Sequence, residues 1–495
     1  MRHIQPLALA VAVSLAACSS GSDQTPAGAV SAATATSQVV ESSRAGSAPR
    51  KNVLFFLGDG MGITTLTAMR IYSVGEDGDL TIDRLPESAF VRTYSEDGQV
   101  TDSAPSMAAY MTGVKMRNEV ISMSTGTVAY APDGAQYIDA DANSTCPAGN
   151  GEPVATLLEL MKRQGYGTGV VSTTRITHAT PATTYAHLCN RNGENTIAAQ
   201  LVPGGAGYNA ALGDGVDVVL GGGRRHLLPK SEPGGFRTDG RNLITEMQAQ
   251  GYRYVSDTAG LLETPADAGR LFGIFAASDM SYDIDRDPLK EPSLEQMTRK
   301  AIEVLAGRDS GFFLMVEGGR IDHALHAANA KRALTDGMAF DRAIAAAIDE
   351  MNVRDPGLAN TLIVVTADHD HTLVINGYAK RTGMTTETNP GVLGFVRRYA
   401  NGPTDGEPAP DANGLPFTIL GFGNGPNRPA IRTLLDETTT AGKDYLQESV
   451  IQLASETHGG GDVYLGAAGL GAEHFHGVID NTEVFDRIRR ALDLQ

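Results

Sequence analysis

The chain is poor in basic residues: 40 Lys and Arg stand against 58 Asp and Glu, a formal charge of −18 over 495 residues. Binding along a nucleic-acid backbone needs clustered cations, so a broad nucleic-acid interface is excluded. Small anions remain open as ligands where a few cations or metal ions focus the field. Long apolar runs are also missing. The N-terminal PLALAVAVSLAA is too short to cross a bilayer as a helix. Cysteine is scarce, with three residues at Cys18, Cys146 and Cys189, which argues against a closed, Cys-rich structural zinc site. Heptads and solenoid repeats are absent too. What remains, 41% hydrophobic residues over this length, suffices for a large core in one big domain or two.

Residues 1–17 have a basic start and an apolar run ending in Leu15-Ala16-Ala17, with Cys18, Ser19 and Ser20 next. This is the pattern of a bacterial lipoprotein signal, in which Cys18 carries lipid; a secretory peptide cleaved nearby is the plainer alternative. Either implies export; the lipoprotein reading places the protein at the cell envelope, on the periplasmic or outer-membrane face, with membrane attachment only through the lipid. Residues 18–51 are rich in Ser, Ala, Gly and Thr and are expected to form a disordered tether. The ordered domain is expected over 52–495. In an oxidising compartment Cys146 and Cys189 are candidates for a disulfide, two buried thiols being the alternative.

From Asn52 onward, strand-like runs alternate with helical patterns. NVLFFLGDGMG is followed by ITTLTAMRIYS, and PVATLLELMKRQG by YGTGVVSTT. SLEQMTRKAIEVLAG precedes GFFLMVEGG; AKRALTDGMAFDRAIAAAIDEM precedes TLIVVTAD; EVFDRIRRALDL closes the chain. This alternation predicts an α/β fold, a large mostly parallel central sheet flanked by helices on both faces. In such folds active residues gather at the carboxyl ends of strands. The pattern weakens over 385–442, which reads as a small inserted surface subdomain.

Four stretches put metal-ligand residue types after a strand or in a glycine turn. They hold Asp59; Glu317, Asp322, His323 and His326; Asp368, His369 and His371; and Glu456 and His458. Singly, each has a plain reading as a turn, cap or loop residue. Together they take five of the chain's 11 His. Asp322 and His326, four apart, share one face of a helix, and carboxylate and imidazole are zinc ligands. Glu317 at a strand end suits a harder ion such as magnesium. The stretch TDSAPSMAAYMTG adds Ser103 at a helix start, where it is either a cap or a nucleophile in the field of the helix N-terminus.

The motifs NVLFFLGDGMG, VTDSAPSMAAYMTGVK, TTRITHATPATTYAHLCNRN, FFLMVEGGRIDHALH, VTADHDH and SETHGGGDV, in this order, resemble those of the alkaline phosphatases. VEGGRIDH and MSYDIDRD are nearer the animal than the enterobacterial type. The resemblance implies phosphate-monoester hydrolysis through a phosphoserine at Ser103, with Arg191 gripping the phosphate. It implies a first zinc on Asp322, His326 and His458, and a second on Asp59, Asp368 and His369. Magnesium would sit on Asp59, Thr180 and Glu317. Asp102, His178 and His323 would support these groups from behind. Tyr282, Asp283 and Glu291 keep part of the calcium site of animal members. An alkaline optimum and a homodimer are further implications. DADANS (139–144) is no EF-hand loop, because it lacks the central Gly and the final Glu. Competing readings are a phosphodiesterase or sulfatase on the same scaffold, a non-catalytic metal- or phosphate-binding lipoprotein, and a structural zinc protein.

Overall fold

The structure is a computed structural model that describes residues 51–494, apart from 309 and 400–401. The proposed signal peptide, Cys18 and nearly all of the tether lie outside the described residues. Among the described residues fifteen strands occur: β1 Lys51–Leu57, β2 Glu87–Arg92, β3 Gly167–Arg175, β4 Val218–Gly222, β5 Arg253–Val255, β6 Leu271–Ile274, β7 Gly311–Glu317, β8 Thr361–Thr366, β9 Asp370–His371, β10 Leu373–Ile375, β11 Leu420–Gly425, β12 Ser449–Gln452, β13 His458–Gly459, β14 Val463–Gly469 and β15 Gly477–Asp480.

Ten of them form one sheet in the order β15-β2-β14-β8-β1-β7-β3-β4-β6-β5. β14 runs antiparallel to both its neighbours, while the other pairings in the sheet are parallel. The expected α/β architecture is therefore present. The central strands are continuous apolar runs because helices cover both sheet faces: β7 and β8 are buried at every residue, and β1 at all but Lys51. The longest helix, α-helical over Ala330–Arg354, buries Leu334, Phe340, Ile344, Ala347 and Met351 at helical spacing.

The segment 385–442, expected as an insertion, supplies β11 to a separate three-stranded sheet, β10-β11-β12. Asp368 and His369 precede the two-residue strand β9, not a helix they might have capped. β9 pairs with β13 so that His371 stands opposite His458. Cys146 and Cys189 are joined as a disulfide with Cα atoms 5.9 Å apart, which settles the choice between bonded and free thiols.

Candidate metal centre and active site

The sheet register brings the scattered acids together. Leu57 of β1 lies level with Glu317 of β7 and with Thr366 of β8, and Ser172 of β3 is level with Glu317. β1, β7 and β8 thus end at one height and β3 runs on to Arg175, and the residues just beyond these four parallel strands share one space: Asp59 after β1, His178 and Thr180 after β3, Asp322 and His326 after β7, and Asp368 and His369 after β8. The helix over Arg320–His326 places Asp322 and His326 on one face, and β13 delivers His458 from the far end of the chain.

Three groups of donors result. In the first, Asp322 Oδ1 lies 3.3 Å from His326 Nε2 and 3.5 Å from His458 Nε2, and the two Nε2 atoms are 3.1 Å apart. In the second, His369 Nε2 lies 3.4 Å from Asp59 Oδ1 and 3.4 Å from Asp368 Oδ2. In the third, Asp59, His178 and Glu317 each offer a ligand atom within 4.8 Å of the others, with Thr180 buried in the following turn.

The donor chemistry fits divalent cations. Three imidazoles point the same way: Nδ1 of His326 donates to Glu456 O at 2.6 Å, Nδ1 of His458 to Thr101 O at 2.8 Å and Nδ1 of His369 to Asp370 O at 3.2 Å. A carbonyl only accepts, so each Nδ1 holds the proton and each Nε2 presents its lone pair inward, the orientation metal-ligating histidines adopt. Both carboxylate oxygens of Asp59, Oδ2 of Asp368, Oε1 of Glu317 and Oγ1 of Thr180 are buried without a hydrogen-bond partner. Such orphans are costly unless a cation satisfies them. Imidazole with carboxylate suits zinc, and the all-oxygen set of Asp59, Glu317 and Thr180 suits magnesium. Burial and the nearby Asp368, Asp322 and Glu317 hold Asp59 well above the usual carboxylate range. Glu317 is pushed up to about 7, chiefly by burial, despite hydrogen bonds from Ser172 and Thr174. Burial holds His369 well below its ordinary value, leaving a neutral ring able to bind a metal.

Ser103 and Asp102 divide the two roles that the sequence left open. Asp102 is the helix cap: its Oδ1 accepts from Ala104 N at 2.7 Å. Ser103 opens the helix, is buried, and aims its Oγ at His369 Nε2, 3.3 Å away. Asp102 also anchors the cation opposite. Arg191 Nη1 donates to Asp102 Oδ1 at 3.1 Å, and Nη2 donates to His178 Nε2 at 2.9 Å. His178 therefore links the guanidinium to the third donor group. His323 stacks edge-on against it, with ring centroids 5.4 Å apart, and its Nδ1 lies 2.6 Å from Arg320 Nη1.

Two residues of the site carry no assigned role in the sequence reading. His371 is fully buried between two carboxylates, with Nε2 2.9 Å from Asp322 Oδ1 and Nδ1 2.6 Å from Glu456 Oε2. Burial works against charging it, but the hydrogen bonds with Asp322 and Glu456 overcome this and push it up to about 10. A ring that donates from both nitrogens holds Asp322 in place and has no lone pair left for a metal. The alternation His369, His371 is the available signal: two ring residues on one side of an extended segment. At the expected calcium remnant, Asp283 is paired with Arg286 and Arg342, and Glu291 accepts from Ser281 N and Oγ. Tyr282 packs under the Arg320 guanidinium. Those acids are matched by protein donors, and among the described residues no group of candidate metal ligands forms there.

Comparison with known proteins agrees with this geometry. The family model "Alkaline phosphatase" matches residues 50–494. The chain is 35% identical to an alkaline phosphatase of Gadus morhua over 460 residues, covering 86% of this chain and 88% of that one. It is 33% identical to the human tissue-nonspecific isozyme over 466 residues, covering 88% and 82%. The structure superimposes on Thermus thermophilus alkaline phosphatase with a TM-score of 0.63 at 25% identity, covering 90% of this chain and 92% of that one. For the enzyme of the Antarctic bacterium TAB5 the values are 0.61 and 21%, with 90% and 99% covered. The chain belongs to the alkaline phosphatase family, and it is a metal-dependent phosphatase whose metal-ligand residue types converge where four parallel strands end.

Proposed function

We propose that the protein hydrolyses phosphate monoesters through a phosphoserine formed on Ser103, with two zinc ions and one magnesium ion in the three donor groups and with an alkaline optimum. The observation carrying this reading is the position of Ser103 Oγ against His369 Nε2, at the start of a helix and with Arg191 nearby. Asp322, His326 and His458 would hold one zinc, Asp59, Asp368 and His369 the other, and Asp59, Thr180 and Glu317 the magnesium. A TAB5 alkaline phosphatase variant in which a histidine is replaced by glutamate has magnesium bound in its M3 site; here the support for magnesium is the oxygen set of Asp59, Glu317 and Thr180. When bound, the cations neutralise phosphate charge and make hydroxyl oxygens acidic enough to attack.

The chain's own groups supply the rest. Ser103 Oγ is the attacking atom, and the N-terminus of its helix favours negative charge on that oxygen. Arg191 can present two parallel N–H donors to non-bridging oxygens, fixing the phosphoryl group for in-line displacement. Asp102 and His178 hold that guanidinium from behind. An alkaline optimum follows because ligands and attacking oxygen must be deprotonated. A pure phosphate binder has no use for a nucleophile at this position, and the imidazole-rich, partly open donor set is unlike a closed structural zinc site. We further propose export and lipid attachment at Cys18, from the N-terminal pattern, and a homodimer, from the family.

The test is labelling with a radioactive phosphomonoester followed by acid quench. Wild type should carry acid-stable phosphate on serine, and Ser103→Ala should lose turnover and label while keeping its metals. Wild-type turnover of p-nitrophenyl phosphate by Ser103→Ala removes the nucleophile assignment. Comparison of monoester, diester and sulfate-ester hydrolysis separates this activity from the neighbouring esterases.

A further inference from the structure

Between the helices Ser103–Thr112 and Leu157–Arg163 the chain runs through 113–156 without a helix or an extended strand. A loop this long inside a compact domain is uncommon unless it serves the site. It wraps the turn that carries Arg191. Ile121 and Leu188 exchange both backbone hydrogen bonds, at 2.8 and 2.9 Å, and Arg191 N donates to Glu119 O at 2.7 Å. Asn190 Nδ2 donates to Ala129 O at 3.1 Å, and Asn192 Nδ2 donates to Glu119 Oε2 and Gln136 Oε1 at 3.2 and 3.0 Å. Downstream, Asn195 N donates to Ala142 O at 3.0 Å and Ser144 N to Thr196 Oγ1 at 2.9 Å. The one covalent tie between loop and turn among the described residues is Cys146–Cys189, placed two residues before Arg191.

The geometry points to the Cys146–Cys189 disulfide as the positioning element of the phosphate clamp: it fixes the Arg191 turn against the 113–156 loop, so that phosphate affinity depends on the bond while metal binding does not. This rests on the reading of Arg191 as the group that grips phosphate. The dependence is selective because of where the bond acts. Neither Cys nor the loop between 113 and 156 supplies a residue to the three donor groups, which hang on the ends of β1, β3, β7 and β8 and on β13. The guanidinium, by contrast, reaches the site from a turn outside the sheet. Its bidentate grip is directional, so a displaced guanidinium gives up one of its two parallel charged hydrogen bonds to phosphate. Cys189 is buried and Cys146 partly exposed. A small dithiol would therefore attack Cys146 Sγ, releasing Cys189 as the thiolate; its second thiol then closes a cyclic disulfide and frees Cys146. Two electrons and two protons pass to the protein, and the dithiol is oxidised.

Two forms test the idea: the Cys146→Ser/Cys189→Ser variant and dithiol-reduced wild type, both with zinc content measured. The expected result is a rise of about tenfold or more in the inhibition constant for inorganic phosphate and in KM, with kcat within about threefold and zinc unchanged. In an Arg191→Ala background, loss of the bond should change phosphate inhibition by less than about twofold, since the group it positions is gone. The inference is overturned when phosphate inhibition in either folded form stays within about twofold of the oxidised protein. Parallel loss of zinc, or an equal loss in the Arg191→Ala background, also overturns it. If Arg191→Ala by itself leaves phosphate inhibition unchanged, the clamp reading fails first, so the two failures are distinguishable.

Discussion

Replacing His371 by alanine should separate two quantities that metal proteins usually lose together. In the structure this ring joins Asp322, a member of the first donor group, to Glu456, whose carboxylate also accepts from Thr372 N at 2.7 Å and Thr372 Oγ1 at 2.6 Å. Both carboxylates are almost fully buried. Removing the imidazolium leaves Glu456 with the Thr372 donors and the His326 ring 3.8 Å away, and breaking one side of a buried ion pair costs about 3–5 kcal/mol of stability. It also frees Asp322 to rotate, and loss of an orienting partner behind a ligand typically lowers metal affinity about 10- to 100-fold. The two effects part company in the double variant His371→Ala/Glu456→Gln. There the stranded charge is gone, so thermal stability of the chelated protein should recover by a large part of the loss, while zinc affinity stays low because Asp322 is still unanchored. Zinc affinity is read by competition with a chromophoric chelator, and stability by thermal unfolding in excess chelator. Zinc affinity of His371→Ala within about twofold of wild type would refute the anchoring argument; failure of Glu456→Gln to restore stability would refute the stranded-charge argument.

Gly60 takes a left-handed φ of 66° and a Cβ there would lie 2.3 Å from His371 Nε2, so Gly60→Ala should lose zinc and phosphatase activity together, checked by metal analysis and turnover. Arg191→Ala should raise the inhibition constant of inorganic phosphate by about 10- to 100-fold, the equivalent of one or two charged hydrogen bonds, and Arg191→Lys should not restore it because an ammonium cannot form the two-pronged contact. Asp102→Ala should both weaken phosphate inhibition and destabilise the fold by about 1 kcal/mol through loss of the helix cap, read by inhibition and by denaturant titration. Burial holds the metal-free Asp59 and Asp368 carboxyls above the ordinary range. Protons therefore compete with the cations, metal affinity should fall as pH drops, and adding zinc to chelated protein in weak buffer should release protons; an unchanged pH on metal addition would contradict this.

The parts of this architecture legible in the sequence are those written as continuous local patterns. The buried runs NVLFFL, GFFLMVE and TLIVVT announce central parallel strands, and Asp322 and His326 announce their shared helix face. β2, β14 and β15 are harder to see. β2 alternates exposed and buried residues, β14 is rich in Ala and Gly, and β15 is four residues long, so none carries a strong apolar signal. His371 and Glu456 were visible as residue types, but their pairing depends on β9 meeting β13 across a gap of more than 80 positions, which no local period encodes. The disulfide was one of two open readings for the same reason. At Tyr282, Asp283 and Glu291, which the resemblance offers as part of a calcium site, only the fold brings Arg342 to Asp283 beside the neighbouring Arg286.

The pairing of β9 with β13 has a consequence for how the protein is made. His458 reaches Asp322 and His326 only after a stretch more than 130 residues further along has folded back, and β1 cannot fill the centre of the sheet until β7 and β8 exist on either side of it. A growing chain therefore brings out every residue of the second and third donor groups before the first group can be completed by His458. The three positions of the centre therefore close in a fixed order along the chain, the one built on His458 last.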